Sequence, residues 1–372
     1  MKTLRSLLYG EVLVAVAFVT LGFVALFFFF DFVEELRWIG SGAAADGNGT
    51  YRLTHALAYV GLLVPSHLYE LLPITVLIGA IYVMARMAQT SEFTILRTSG
   101  LGPWRALRML LGLGLSFTLL TFAIGDYLAP LSDRSAQLLK ARFQGRITTG
   151  ATGAWLKEKQ ATSDFAANVA AFSPEGDMRE VRVFEFDAQG YLISVMQAPA
   201  ARFATDGAWE LENAERREFD VRASEGARVT RTQHERYRWV NGISREMVST
   251  ALLKPERMGT FDLFRYIQHL DANGQTAQRY EIEFWRKVFY PLSCLVMVVL
   301  ALPFAYLHFR AAGITAYVFA GVMIGISFFL LNNVFGYIGN INNWEPWIAA
   351  SAPGLLYSLL SLAAFGWLVL RQ

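Results

Sequence analysis

Cysteine is almost missing from this chain of 372 residues: Cys294 is the only one, and it stands inside an apolar run. No intrachain disulfide can form, and no Cys/His spacing suited to zinc exists. The five histidines are scattered and include no HExxH. No GxxxxGKS/T phosphate loop occurs, so the sequence offers no ATP hydrolysis by that route on its own. Charge is sparse as well. Asp, Glu, Lys and Arg make up 17% of the residues, against about 25% in ordinary soluble domains. With 54% hydrophobic and 14% aromatic residues, the composition is that of a membrane protein. The net charge of +2 says little, but its distribution says more.

Six stretches are apolar and long enough to cross about 30 Å of hydrocarbon, which takes roughly 20 helical residues. They are approximately Leu7–Phe30, Ala58–Ala85, Trp104–Leu128, Val288–Leu307, Ile314–Phe335 and Trp347–Leu370. Pro65 and Pro73 predict a kink or an interfacial start in the second. The first has Lys2 and Arg5 ahead and "GAAAD" behind, but its apolar core exceeds the 7–15 residues of a signal-peptide core, so a retained span is expected. Lys2, Arg5, Arg86, Arg97, Arg105, Arg108, Arg310 and Arg371 all fall on one side of a six-span topology. The positive-inside rule then places both termini in the cytoplasm. The long region after span three lies outside, which in a Gram-negative bacterium is the periplasm.

That region, residues 132–260, contains no span. "REVRVFEFDAQGYLISVMQAPAARFATDGAWELENAERREFDV" reads as a β-meander with turns at "DAQG" and "TDGA". Strands are expected at Val181–Phe186, Tyr191–Met196 and Ala200–Phe203, with another beginning at Trp209. Short strands between Gly/Asp turns suggest a sandwich or an open β-roll. Such a domain could be an inert spacer, or an open interior or sheet edge that accepts something amphipathic; the strand pattern leaves both open. Residues 261–289 predict a helical hairpin at the membrane face, with Leu263, Tyr266, Ile267 and Leu270 at helical spacing and Gly274 as a stop.

Between spans two and three, "MARMAQTSEFTILRTSGLGPWRAL" is too polar for lipid and too short for a domain. Ser91 is positioned to cap a helix with Glu92 at its positive end. Phe93, Ile95 and Leu96 give it apolar faces, and Gly100 suits a left-handed cap. The segment over about 90–99 either lies on lipid headgroups, held by Arg86, Arg97 and Arg105, or docks a cytoplasmic partner. Glu92 favours docking, since a carboxylate gains nothing from anionic lipid. Glu70 and Asp126 read as interfacial charges without an opposing basic chain.

Several stretches together resemble a known family. "FVEELRWIG", "AQTSEFTILRTSG", "GDYLAP", "GAWLKE" and "GQTAQRYEIEFWRKVFYPLS" match, in order, the lipopolysaccharide export permeases of the YjgP/YjgQ (LptF/LptG) type. "FVEEL", "GDYLAP" and the hairpin leading to span four look more like the G subunit than the F subunit. The resemblance implies a helical membrane protein of six transmembrane helices with a periplasmic all-β, jellyroll-like domain between helices 3 and 4. Its parts would be 1–131 with the coupling helix, 132–260 as the β-domain, and 261–372 as the hairpin and last three spans.

The resemblance also implies an ABC transporter in the bacterial inner membrane. One F-type and one G-type permease would pair with two copies of a separate cytoplasmic, LptB-like ATPase, which would bind the ATP and Mg²⁺; no cofactor is expected in this chain. A bitopic, LptC-like periplasmic partner would receive the lipopolysaccharide, and the permease would also meet membrane lipid but no nucleic acid. Ser91, Glu92, Phe93, Ile95, Leu96 and Arg97 would form the ATPase-coupling helix, with Glu92 as the polar contact and Phe93, Ile95 and Leu96 as the packing face. Spans one and five would form lateral gates, making Phe27, Phe30 and Phe319 substrate-wall residues. Arg37, Arg134, Lys140 and Arg142 would meet sugar phosphates, each for roughly 1 kcal/mol. Asp31 departs from the G-type pattern, which has a lysine there, so either Arg37 or Arg52 would carry that contact or lipid A would bind differently here. The alternatives are the F-type paralogue, or a membrane-anchored envelope assembly or sensor protein whose β-domain binds a partner. No nucleophile–base set or metal pair for an intramembrane enzyme is visible.

Overall fold

The computed structural model describes residues 2–40, 50–100, 102–144, 153–160, 163–173, 176–204, 207–220, 228–244, 247–248, 255–306 and 313–370. The helices in chain order are α1 (Lys2–Leu36), α2 (Leu53–Gln89), α3 (Glu92–Thr98), α4 (Pro103–Ala123), α5 (Ala129–Gln144), α6 (Thr260–Ala272), α7 (Gln278–Phe289), α8 (Leu292–Leu300), α9 (Ile314–Ile341) and α10 (Pro346–Leu370). They belong to two compact units. One comprises Met1–Glu34, Val60–Ser132 and Glu281–Gln372; the other comprises Glu35–Tyr59 and Asp133–Tyr280.

In the first unit, five helices are long and apolar enough to cross a membrane, and the α7–α8 path up to Tyr306 makes a sixth if it is one bent span. That path bends by 50° beside Pro291, whose ring and missing N–H interrupt the helical ladder. α2 is different. It is helical throughout its 37 residues, Pro65 and Pro73 included, so neither proline ends the helix. It is the most covered of the long apolar helices: 83% of its most apolar stretch is buried, against 17% for both α1 and α9. Pro73 is buried and Pro65 half-buried. The core around α2 gathers Val12 and Val16 of α1, Leu110 and Phe117 of α4, Cys294 and Met297 of α8, and Phe328 of α9.

The second unit holds one six-stranded antiparallel sheet in the order β1 (Ala154–Lys159), β2 (Asp164–Phe172), β3 (Met178–Phe186), β4 (Leu192–Phe203), β5 (Trp209–Asp220), β6 (Arg228–Trp239). Every strand pairs with its sequence neighbour, so the all-β domain is present as a meander with no crossover among the described strands. Short turns such as Asp187–Tyr191, closed by the Asp187 carboxylate accepting from the Gln189 and Tyr191 amides, join adjacent strands and dictate this order. The separate strands expected at 191–196 and 200–203 are one strand, β4, running through Pro199.

Pro199 cannot donate to the ladder. Glu180 of β3 and Asn213 of β5, which lie in register with it, both take positive φ (50° and 49°). On β4 the buried positions step from Ser194, Met196 and Ala198 to Ala201, and on β5 from Leu211 to Ala214. The inward face therefore slips by one residue along a line across the sheet, as a bulge would make it do. The face so formed buries Met178, Val183, Trp209 and Leu211 together with Tyr266 and Leu270 of α6. The helix predicted to lie at a membrane face thus packs its apolar stripe on the sheet, because that stripe has a matching apolar surface within the same unit.

Candidate functional site

α3 is seven residues long and stands between the long helices α2 and α4. Ser91 precedes it with φ 61° and makes no side-chain cap, so the expected N-cap is corrected: in a left-handed conformation its hydroxyl does not reach the helix N–H groups. Gly100 does take a left-handed conformation, φ 99°, and its N–H bonds the Arg97 carbonyl at 3.1 Å, ending the helix as such a glycine can. The three apolar residues do not share a face. Phe93 is buried in the unit's core, its ring 4.8 Å from that of Tyr306. Leu96 packs against the same core, while Ile95 is 63% exposed. At 100° per residue, two neighbouring positions cannot point the same way. Glu92 is half-buried and Arg97 exposed, the latter lying 5.9 Å over the Tyr306 ring. α3 is therefore fastened to the helical core on one side and open at Ile95 on the other.

The cations expected to meet sugar phosphates separate into two kinds. Lys140 of α5 donates to the Glu35 carboxylate at 3.0 Å and lies 4.5 Å over the Tyr59 ring. Glu35 is 3% exposed and also accepts from the Tyr51 hydroxyl at 3.0 Å. Burial, reinforced by that carboxylate, pushes the Tyr51 phenol well above its usual range, so it stays a neutral donor. Lys140 thus has a built-in counter-ion within its own unit. Arg37 and Arg134 are exposed, and Arg37 lies 5.4 Å over the Trp38 ring. The side chain of Arg142 lies outside the described residues. Neither Glu35 nor Tyr51 was singled out from sequence. A buried acid followed sixteen residues later by an aromatic carries no spacing signal across a turn.

Asp31, which stands where a lysine was expected, binds the His67 Nε2 at 2.6 Å, and the His67 ring lies 5.1 Å from that of Phe27. This joins α1 to α2 through a carboxylate–imidazole contact. Phe27, Phe30 and Phe319 are exposed, as residues at a lipid-facing or partner-facing surface would be. Phe328 is buried between Tyr290 and Tyr357 and serves the core.

Asp126 follows Gly125, whose carbonyl accepts from a buried lysine. It lies in a π-turn over Ile124–Leu128. Such a turn widens the helix and leaves carbonyls open to other donors. The Lys287 ammonium, 5% exposed, bonds the Gly125 carbonyl at 3.1 Å. Gly125 allows this because a Cβ there would meet the Tyr69 ring. Arg286 on the same helix ties Glu283 at 3.1 Å to the Asn332 carbonyl of α9 at 2.9 Å. The motifs "GDYLAP" and "EFWRKVFYPLS" thus meet in one buried polar knot. Charges within a span are costly unless partnered; here the Lys287 ammonium and both Arg286 Nη groups have acceptors, while the Arg286 Nε is buried without one among the described residues. Among the described residues no group of three or more His, Cys, Asp or Glu side chains is placed to hold a metal ion.

The family described as "Lipopolysaccharide export system permease LptF/LptG" matches this chain over residues 7–369. The lipopolysaccharide export system permease protein LptG of Haemophilus influenzae is 26% identical over 367 residues, covering 98% of this chain and 97% of that protein. The protein of the same description from Escherichia coli K12 is 26% identical over 345 residues, covering 92% and 90%.

Proposed function

The chain belongs to the lipopolysaccharide export permease family LptF/LptG, and we propose that it works as the G-type half of a two-permease transporter driven through α3. It is a multi-pass membrane protein and a permease subunit of the lipopolysaccharide export system. The G-type assignment rests on relatives that carry the LptG description. In the proposed assembly an F-type permease completes the membrane part, two copies of a cytoplasmic LptB-like ATPase bind ATP and Mg²⁺, and an LptC-like partner accepts lipid from the β-domain. Both termini would be cytoplasmic in the inner membrane, with the sheet in the periplasm.

The observation that carries this reading is the two-sidedness of α3. Phe93 is locked into the core around α2, whereas Ile95 is open. A push delivered to the Ile95 side moves the helix as a lever, and Phe93 passes the displacement to the permease core. A helix lying on headgroups needs no such anchor. The low coverage of α1 and α9 supports the gate assignment, since these two helices leave the most apolar surface for a partner or a lipid tail. Arg37 and Arg134 are the cations offered to substrate phosphates, and Phe27, Phe30 and Phe319 the apolar wall; Lys140, paired with Glu35, positions α5.

The test is co-purification of the tagged chain with the ATPase from native membranes. Glu92→Ala and Ile95→Asp are expected to lower ATPase recovery about tenfold, the size of a modest hot-spot loss, with unchanged insertion of the permease. Full recovery with both variants would return α3 to the lipid surface. Arg37→Glu is expected to reduce lipopolysaccharide photocrosslinking, and unchanged crosslinking would make it only an interfacial anchor.

A further inference from the structure

At the N-terminal end of α1 and of α4, the helical unit contains an open cleft of about 940 Å³ whose walls include Arg5, Arg105 and Arg108. We propose that this cleft binds the phosphodiester headgroup of an anionic glycerophospholipid. It is separate from the substrate cations: Arg37 follows the far end of α1, a helix of 35 residues and so about 50 Å long.

The cleft is built rather than left over. The Tyr9 hydroxyl donates to the Met109 carbonyl at 2.6 Å and fixes α1 against α4. Gly112 makes this possible, since a Cβ there would stand 2.8 Å from the Tyr9 oxygen. Gly10, also on the wall, has nothing within 4 Å of where its Cβ would be, so the space over Tyr9 stays clear. Arg5 lies 5.6 Å over the Tyr9 ring. Arg105 spends one N–H on the Gly100 carbonyl at 3.0 Å. Arg108 is exposed and has no hydrogen bond or ion pair among the described residues.

Among the described residues no carboxylate lines the cleft. The acid nearest in sequence, Glu11, is engaged with Arg86 at 3.0 Å. Three guanidinium groups around one cavity repel one another unless an anion joins them, and their planar forks suit phosphate oxygens. The same walls specify what else the ligand carries. Leu13 lines the cleft about two turns along α1 from Arg5 and is half exposed. Further along α4, Leu115 and Leu119 continue the face that carries Arg108 and Gly112, and both are exposed. Cations followed by bare aliphatic surface along two helices match a phosphate followed by acyl chains. An acidic protein segment would find no polar surface below its carboxylates.

The experiment is native mass spectrometry of the detergent-purified transporter, titrated with short-chain phosphatidylglycerol and with phosphatidylcholine of equal chain length. Phosphatidylglycerol is expected to bind at least tenfold more tightly. Arg108→Gln is expected to weaken it about fivefold, the equivalent of roughly 1 kcal/mol per basic residue at a lipid surface. Arg5→Gln with Arg105→Gln and Arg108→Gln is expected to abolish the preference, while Arg37→Gln leaves it intact. Should the triple variant fail to insert, Gly10→Trp blocks the cleft without touching an arginine and is expected to do the same. Equal binding of the two lipids, or an undiminished preference in Arg108→Gln and Gly10→Trp, would overturn the proposal. So would displacement of phosphatidylglycerol by millimolar inorganic phosphate, which would mark a free-anion site. Loss of the ATPase from the Arg108→Gln complex with lipid binding unchanged would assign the arginines to a protein contact instead.

Discussion

Lys140 and the arginines of the α1–α4 cleft carry the same charge and meet opposite circumstances. Lys140 has a buried carboxylate at 3.0 Å and a ring beneath it; the three arginines share a cavity that no acid lines among the described residues. Lys287 belongs with Lys140, its ammonium held on the Gly125 carbonyl inside the helical unit. The difference separates cations that hold the fold from cations offered to a ligand. A cation with a built-in partner has already exchanged its hydration for a protein contact, and a phosphate would have to displace that partner. A cation without one is stabilised by whatever anion arrives.

The comparison breaks first, and most visibly, at Lys287. Lys287→Met is expected to destabilise the chain in detergent by about 3 kcal/mol, because it strands the polar groups of a buried knot. The unfolding midpoint in denaturing detergent reads this directly, and a midpoint within experimental error of the parent would move Lys287 out of the structural class. Lys140→Met comes next, at about 2 kcal/mol, since the surviving Glu35 carboxylate is left buried. Adding Glu35→Gln is expected to recover part of the loss, giving a coupling energy of about 1 kcal/mol or more in a double-mutant cycle. Additive losses would instead mean that the pair is incidental and Lys140 is free for substrate.

The smallest effect concerns a group that would become a cation without a partner. His269 on α6 has its Nε2 buried with no hydrogen bond among the described residues. Burial holds the imidazole below its ordinary value, against a weaker opposing pull from Glu158. The folded chain therefore binds this proton less readily than the unfolded one. The stability is complete above the ordinary value near 6.5 and is lost as pH falls below it, until the depressed folded value is passed. The melting temperature of the chain is expected to fall between pH 7 and pH 5, and His269→Gln is expected to flatten that slope. A slope unchanged by the substitution would place the titrating group elsewhere.

Much of this was legible beforehand. The long helices, the all-β insertion and the short helix after α2 follow from apolar runs and from alternation between turn residues, both of which are local. The same locality explains the failures. Pro65 and Pro73 suggest a kink or an interfacial start in a stretch that the structure keeps helical over 37 residues. Phe93, Ile95 and Leu96 were assigned one shared face, although helical geometry separates them and Phe93 belongs to the core. The amphipathic stripe of α6 names the kind of surface that covers it without naming which one, and the sheet of its own unit is that surface. Ser91 looked like a cap because its type is right, while its backbone conformation was not readable from type.

The sequence by itself determined the membrane class, the order of elements and the resemblance to the family, because hydrocarbon thickness and strand alternation act on residues near one another. Only the tertiary structure decided which charges are spoken for. Glu35 with Lys140, Asp31 with His67, and Lys287 with Gly125 are separated by 105, 36 and 162 positions. Such pairings depend on how helices and loops pack and leave no local pattern. Arg5, Arg105 and Arg108 are visible in sequence as basic residues; that they surround one cleft, with no acid lining it among the described residues, follows from Tyr9 resting against α4 at Gly112.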